Sequence, residues 1–182
     1  MKNKFKLLAG GIFLAMAANS YAIDGAINFT GAIVEEACEI NGGEELNIPL
    51  GTYSAAQFQE IGDLSPKIPF TLPLDNCPVV TATNPTPHFR IWLEADTVAD
   101  TTDLIALGND YGDAMADGVG IRVEDAKTNQ IMKINGLPDI IYPIPGKVMT
   151  VDLLAYYESF KLAGDITAGA ADARVKVTLD YR

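Results

Sequence analysis

Apolar and polar positions alternate along the last residues of the chain. One face carries the side chains of Ala171, Ala173, Val175, Val177, Leu179 and Tyr181, and the positions between them are charged or polar. Because successive side chains of a β-strand point to opposite faces, this period-two pattern predicts a half-buried strand over 171–181. The sequence stops on this strand, so we expect no successor strand to pair with it.

A second alternating segment lies near the start of the chain. One of its faces is formed by Ile23, Gly25, Ile27, Phe29, Gly31 and Ile33. The segment has no obvious partner strand inside the fold. A period-two apolar pattern in an N-terminal arm is typical of a segment that adds a strand to the sheet of another molecule. The two ends of the chain together indicate assembly by strand donation.

The region between these ends consists of short runs rich in β-branched and aromatic residues. They predict strands at 46–50, 68–74, 88–94, 119–123, 131–134 and 147–157. Gly, Pro, Asn and Asp separate the runs and favour turns. Residues 54–60 allow a turn of helix, and residues 136–145, with three prolines, favour an edge segment over a central strand. This rhythm is typical of an all-β sandwich.

Residues 1–22 have the order of a secretory signal peptide. Three lysines precede an apolar run that extends from Leu7 to Ala18, and residues 20–22 form a small-x-small cleavage sequence. The run is well short of the roughly 20 residues that a membrane-spanning helix needs. Cleavage after Ala22 leaves a chain that begins at Ile23 and ends at Arg182, a length that fits one domain with one core.

The charge of the chain excludes one class of partner. Removal of residues 1–22 takes away three lysines and no acids, which leaves 10 basic against 24 acidic residues, a net charge of −14. Nucleic acid is therefore not an expected partner, since binding to phosphates needs clustered Lys and Arg. A surface this acidic favours solubility, and it is also compatible with contact with a basic partner.

Cys38 and Cys77 are the two cysteines of the chain. In an exported protein they most simply form one disulfide. A bond that closes a loop of this length contributes about 4 kcal/mol in the chain-entropy estimate. A metal site would need further ligands at short spacing, and none is expected.

Few residues suit catalysis or metal binding. His88 is the only histidine and no Gly-x-Ser-x-Gly motif occurs, so neither an enzyme nor a cofactor is expected. Asp113, Asp117, Gly118 and Glu124 fall at positions 1, 5, 6 and 12 of a calcium loop, but a methionine occupies position 3 and residues 119–123 are predicted as strand. We therefore expect no metal site there.

Two alternative functions stay open. Tyr142, Tyr156, Tyr157 and Phe160 are compatible with a sugar-binding platform, although aromatic side chains more often fill a sandwich core. The first alternative is accordingly a self-complete surface lectin or adhesin domain. The second is a periplasmic hydrolase, which the single histidine, His88, disfavours.

Several motifs, in their order and spacing, resemble the pilin subunits of chaperone–usher fimbriae, the type 1 and P pilus group. They are Gly-Ala-Ile-Asn-Phe-Thr-Gly at 25–31, Ala-Ile-Val-Glu-Glu-Ala-Cys at 32–38, Leu-Gly-Thr-Tyr-Ser at 50–54, Phe-Thr-Leu-Pro-Leu-Asp-Asn-Cys at 70–77, Gly-Val-Gly-Ile at 118–121, Tyr157, Ala163-Gly164 and the penultimate Tyr181. The resemblance implies an incomplete immunoglobulin-like sandwich that lacks its final strand and is completed by a donated strand. It also implies three segments: a signal peptide at 1–22, a donor-strand extension at 23–35 and a pilin domain at 36–182.

What the resemblance implies about function is a structural fimbrial subunit that polymerises by donor-strand exchange and contributes to cell adhesion. Its partners would be a periplasmic chaperone, an outer-membrane usher and neighbouring subunits, and it would travel through the periplasm to the surface of a Gram-negative bacterium. The donor residues would be those of the alternating arm. The acceptor strand, which the chaperone also binds, would carry Val175, Val177, Leu179, Tyr181 and the terminal Arg182. After cleavage only the segment 23–37 precedes Cys38, and this short arm slightly favours a minor adaptor over a rod subunit.

Overall fold

A computed structural model describes residues 28, 37–41, 45–82, 84–108 and 114–181 of the chain. From residue 37 onward these belong to one compact unit, Gly31–Arg182. Seven strands and two short 3₁₀ helices follow one another: β1 (Glu39–Ile40), η1 (Ala55–Gln57), β2 (Ile68–Asp75), β3 (His88–Glu94), β4 (Val119–Asp125), β5 (Tyr142–Pro143), β6 (Met149–Ser159), η2 (Ala163–Asp165) and β7 (Lys176–Tyr181). The part of the chain so described contains no helix that is long and apolar enough to cross a membrane.

The first sheet has the strand order β1-β2-β6-β4, and every pair in it is antiparallel. β6 lies at its centre, paired from Ile68↔Ala155 to Leu74↔Met149 on one side and with β4 on the other. Val151, Leu153 and Ala155 are buried, as the period-two pattern predicts. A long central strand thus contributes its apolar face to the core.

The second sheet has the order β5-β3-β7. On β3, Phe89, Ile91 and Leu93 are buried while the residues between them are only partly covered, as the alternation predicts. The Phe89 ring stacks on Tyr142 of β5 with 5.5 Å between ring centroids. Large side chains of both sheets meet in one cluster, and full burial of each contributes about 1.5–3 kcal/mol. The predicted all-β sandwich is confirmed.

The disulfide between Cys38 and Cys77 is present, as predicted. Cys38 directly precedes β1, and Cys77 lies two residues beyond the end of β2. The Cys77 N–H donates to the carbonyl of Lys147 at 3.0 Å. This hydrogen bond links the disulfide to the segment that directly precedes β6. The disulfide therefore fastens the short strand β1, which has only two paired residues, to the edge of the first sheet.

The structure differs from the sequence prediction in four segments. Residues 46–50 are not a strand: Pro49 cannot donate to a ladder, and Ile48 and Leu50 pack on the core without one. The segment 131–134 makes only isolated bridges. β6 begins and ends two residues later than predicted, and β7 pairs only from Lys176 onward because its partner β3 ends at Glu94.

Candidate functional site

Strand β7 has a partner on one side only. It pairs with β3 from Phe89↔Tyr181 to Glu94↔Lys176, and within the described part of the chain its other edge pairs with no strand. An unpaired edge presents N–H and C=O groups that can bond to an added strand. The edge of the second sheet is therefore chemically ready to be extended.

The face of β7 that points to the core is apolar and only half covered. Val175, Val177, Leu179 and Tyr181 all pack against the core cluster yet are not fully buried. Lys176 and Thr178, on the other face, are exposed. Apolar side chains that line an open edge form a groove, and further burial of this surface is favourable. The structure places these four predicted acceptor residues together on one face.

Tyr181 closes one end of this groove. Its ring lies 5.9 Å from the ring of Phe89, centroid to centroid, and its hydroxyl accepts a hydrogen bond of 2.6 Å from the N–H of Cys38. Burial raises the pKa of Tyr181, and the bond to the Cys38 backbone opposes that shift. Because Cys38 precedes β1, this contact joins the free edge of the second sheet to the edge of the first.

The opposite end of the groove is bounded by residues that follow β1. The carboxylate of Glu45 forms an ion pair with the guanidinium of Arg174. The Tyr157 hydroxyl donates to the carbonyl of Ala171 at 2.8 Å, and the Tyr157 ring meets Tyr53 edge-on at 6.0 Å between centroids. Burial, followed by the charge of Asp172 and by Tyr53, raises the pKa of Tyr157. One wall of the groove is thus β7 with residues 171–175, and the other wall is β1 with residues 45–53.

The sequence did not reveal this second wall. Cys38 and Glu45 each lie more than a hundred positions along the chain from their groove partners, Tyr181 and Arg174. No local pattern signals such pairs, because each is created by the packing of two sheet edges. The sequence provided a weak indication only for Cys38, because its predicted disulfide places it next to Cys77. The predicted donor residues of the arm and Arg182 lie outside the described residues.

The remaining candidates have structural surroundings. His88 Nδ1 donates to the carbonyl of Thr86 at 3.0 Å. In the calcium-like segment Asp117 pairs with Lys161, whereas Glu124 binds Lys67 and the hydroxyl of Tyr156. Asp113 lies outside the described residues, and those that are described contain no group of three potential metal ligands.

Tyr142, Tyr156 and Tyr157 are buried and present no flat platform to solvent. Burial first, and then the nearby carboxylates Asp125 and Glu124, raise the pKa values of Tyr142 and Tyr156 respectively. These rings pack in the interior of the sandwich, and their hydroxyl groups form hydrogen bonds there, as is usual for core tyrosines.

Comparison with known proteins decides the family. The model of the family described as "Fimbrial protein" matches residues 27–182. The chain belongs to the fimbrial protein family. It is 43% identical over 195 aligned positions to the fimbrial-like protein YraH of Escherichia coli K12 and 30% identical to a type-1 fimbrial protein subunit of Serratia marcescens, each comparison covering 100% of both chains.

Solved structures show the same fold for this fimbrial protein. The P pilus rod subunit PapA matches with a TM-score of 0.64 at 20% identity, over 80% of this chain and 99% of PapA. A chaperone–usher pilus structure matches with a TM-score of 0.64 at 19% identity, over 87% of this chain and 95% of that one. The fold is the incomplete immunoglobulin-like sandwich that the resemblance implied. The protein is a fimbrial subunit of the chaperone–usher type, and the prediction of a structural rather than an enzymatic role is confirmed by the family.

Proposed function

We propose that this fimbrial subunit polymerises by donor-strand exchange, with the groove beside β7 as the acceptor. One observation carries the proposal: among the described residues, the second side of β7 pairs with no strand, and that side borders a partly covered apolar face. A strand added there gains main-chain hydrogen bonds along the edge, and its alternate side chains bury the surfaces of Val177, Leu179 and Tyr181. The pattern of the acceptor determines the register of the added strand, because a slip of one residue turns every side chain to the wrong face.

The donor is the N-terminal arm of a neighbouring subunit. The segment Ile23–Ile33 and the alternating segment Ala171–Tyr181 are equal in length. At about 3.3 Å per residue each spans about 36 Å. The arm presents Ile27 and Phe29 on one face, together with glycines that allow bulky groove residues to approach. Equal length and equal period support the match between the two segments.

Before assembly, a periplasmic chaperone occupies the groove and protects the open edge, which would otherwise promote aggregation. The terminal carboxylate of Arg182 binds in a basic cleft of the chaperone, and the outer-membrane usher is the place where the arm of the next subunit replaces the chaperone strand. The finished fibre lies on the surface of a Gram-negative bacterium, where it contributes to adhesion. The acidic net charge of the mature chain, −14, is compatible with a basic docking partner.

Within the fibre, the subunit acts as a minor adaptor rather than as the repeating rod subunit. The support is the short arm, which consists only of the segment 23–37 between the predicted cleavage site and Cys38. Immunogold labelling of intact fimbriae tests this assignment. Label confined to fibre tips is the expected result, and continuous label along the shaft would identify a rod subunit.

Deletion of residues 23–29 tests strand donation. The shortened subunit keeps its own groove and should still co-purify with its chaperone, but it should not insert into a neighbour. The point variant Ile27→Asp should have the same effect, because an unpaired carboxylate in an apolar groove costs several kcal/mol, on the order of 3 or more.

Asn28→Asp is the matched control, since residue 28 falls between the apolar positions of the alternating pattern and is exposed. Multimers are followed on native gels after wild-type and variant subunits are mixed with chaperone. Normal chain extension by the deletion variant would show that the arm is not the donor. Equal loss with Asn28→Asp and Ile27→Asp would show that charge alone, and not groove filling, is responsible.

A further inference from the structure

The end of the domain at which the arm joins carries an apolar surface. Cys38 is bonded to Cys77 and donates its N–H to the hydroxyl of Tyr181, which in turn pairs with Phe89. Phe89 also pairs with Tyr142 of β5. The disulfide, the end of β7, the start of β3 and the strand β5 therefore lie at one end of the sandwich, which we call the Cys38 pole.

Two segments of the Cys38 pole expose large apolar side chains beside each other. Val80 lies three positions after Cys77 and is 63% exposed, and Ile141, directly before β5, is 51% exposed. Both side chains line one open depression of about 330 Å³, together with three prolines. The Ile144 N–H donates to the carbonyl of Pro87 at 2.9 Å and joins the two segments. We call the surface formed by Val80, Ile141 and these prolines the pole patch.

The pole patch lies in uncharged sequence, although the chain is strongly acidic. Residues 77–87 and 140–146 contain no Asp, Glu, Lys or Arg. The central parts of protein interfaces are depleted of charged residues in the same way. Two copies of a chain with a net charge of −14 repel each other over most of their surface, so they approach most easily at an uncharged apolar face. A chaperone with a basic cleft would instead favour an acidic surface.

The short distance along the chain between the arm and the domain holds a neighbouring subunit close to this pole. Ile33 is the last apolar residue on the alternating face of the arm, and five residue steps separate it from Cys38. Five residues span at most about 18 Å when fully extended. A domain of this length has a radius of gyration of about 15 Å and a diameter of about 40 Å. The groove that holds Ile33 thus ends within half a domain diameter of Cys38.

We propose that the pole patch is a second contact surface between subunits, against which the subunit that accepts the arm of this chain packs. The inference rests on the proposed function, since the donated arm is what brings that neighbour to the pole. A short tether gives an effective concentration on the order of millimolar, so a surface too small to bind a free subunit can still be occupied. Two domains joined by a linker alone move relative to each other. Contact at the pole patch therefore limits the angle between successive subunits.

The test measures amide hydrogen exchange of residues 77–87 and 140–146 in three species. The first is the mature subunit with its chaperone, and the second is a donor subunit whose groove is filled by a peptide with the sequence of residues 23–35. The third is this donor after its arm has entered an isotopically labelled acceptor subunit that lacks residues 23–29. We expect the donor amides of both segments to exchange about tenfold more slowly in the third species than in the second.

The donor variant with both Val80→Asp and Ile141→Asp should lose this protection while its arm still enters the acceptor. Ile131→Asp is the matched control, because Ile131 is also exposed, at 42%, but bridges to Glu124 of β4, the strand of the first sheet farthest from β1. The control should keep the protection of the wild-type donor.

The outcomes separate the pole patch from the proposed function. If neither the peptide nor the arm enters a groove, strand donation is wrong. If the arm enters and the donor amides exchange at an unchanged rate, strand donation is correct and the pole patch is not a contact surface. Protection that is present with the chaperone and absent from the other two species would make the chaperone the occupant and overturn the inference. Equal loss of protection with Ile131→Asp would also contradict it, and the wild-type species decide the question if a variant loses its fold by circular dichroism.

Discussion

Removal of the apolar tip of β7 should weaken capture of the subunit by its chaperone. The perturbation is the double substitution Leu179→Ala with Tyr181→Ala. Both side chains pack against the core on one side and are open on the other, so any strand that fills the groove buries their remaining surface. We expect the subunit to be exported normally but to co-purify with the chaperone in a much smaller amount.

The magnitude follows from the half-buried state of these side chains. Complete burial of a large apolar side chain contributes about 1.5–3 kcal/mol, and roughly a third or less of that surface is still exposed at Leu179 and at Tyr181. Truncation of both side chains therefore weakens the complex by about 1–2 kcal/mol. The Tyr181 bond to Cys38 lies within the subunit, so its loss lowers the stability of the subunit rather than the affinity for the chaperone. At about 1.4 kcal/mol per factor of ten, this corresponds to an affinity about 5- to 30-fold lower.

The assay is affinity purification of tagged chaperone from periplasmic extracts, followed by quantification of the bound subunit. Thr178→Ala is the matched control, because Thr178 lies on the same strand but on the exposed face. Tyr181→Phe separates the ring from the hydroxyl and should retain most of the binding. An unchanged yield of complex for the double variant would show that the chain closes its own sheet and that β7 is not the recognition element.

Three further predictions concern the stability of the domain. Cys77→Ser should lower the free energy of unfolding by about 4 kcal/mol, because the disulfide with Cys38 is lost. Less subunit should then be recovered from the periplasm, as measured by quantitative immunoblot. Free thiols at both positions in the secreted protein would contradict the disulfide. Gly169→Ala should lower the free energy of unfolding in urea by about 1–3 kcal/mol, because the new Cβ would overlap backbone atoms of Ala114 and Met115. Gly164→Ala is the control: its Cβ would meet no atom within 4 Å, so the free energy of unfolding should change little. Burial opposes ionisation of Asp125, but the hydrogen bonds that its carboxylate accepts, including one from Tyr142, lower its pKa overall. The ionised carboxylate therefore stabilises the fold above the ordinary carboxyl pKa, and this stabilisation is lost as pH falls through the lowered pKa. Tyr142→Phe should therefore lower the free energy of unfolding in urea by about 1–1.5 kcal/mol at pH 7 and by progressively less below about pH 4. A difference between wild type and variant that does not depend on pH would contradict this account.

Features that depend on neighbouring residues could be predicted from the sequence alone. The alternation in His88–Glu94 and Met149–Ser159 predicted which side chains are buried, because a strand between core and solvent must present one apolar face. The alternation at 171–181 likewise predicted the half-covered face of β7. The two cysteines of an exported chain predicted their disulfide. These properties follow from backbone geometry and chemistry that act over a few residues or over a single pair.

The residues across the groove and the points where strand pairing stops could be recognised only in the folded chain. Residues 46–50 have a strand-like composition, yet Ile48 and Leu50 pack on the core and the segment pairs with no strand among the described residues, and Pro49 cannot donate to a ladder. β7 begins pairing at Lys176 because β3 ends at Glu94, after which the side chain of Asn135 bonds to the backbone of Ala95. The contacts of Tyr181 with Cys38 and of Arg174 with Glu45 join residues more than a hundred positions apart. The physical reason is that such contacts depend on how two sheet edges meet in space, which no local pattern of residues encodes.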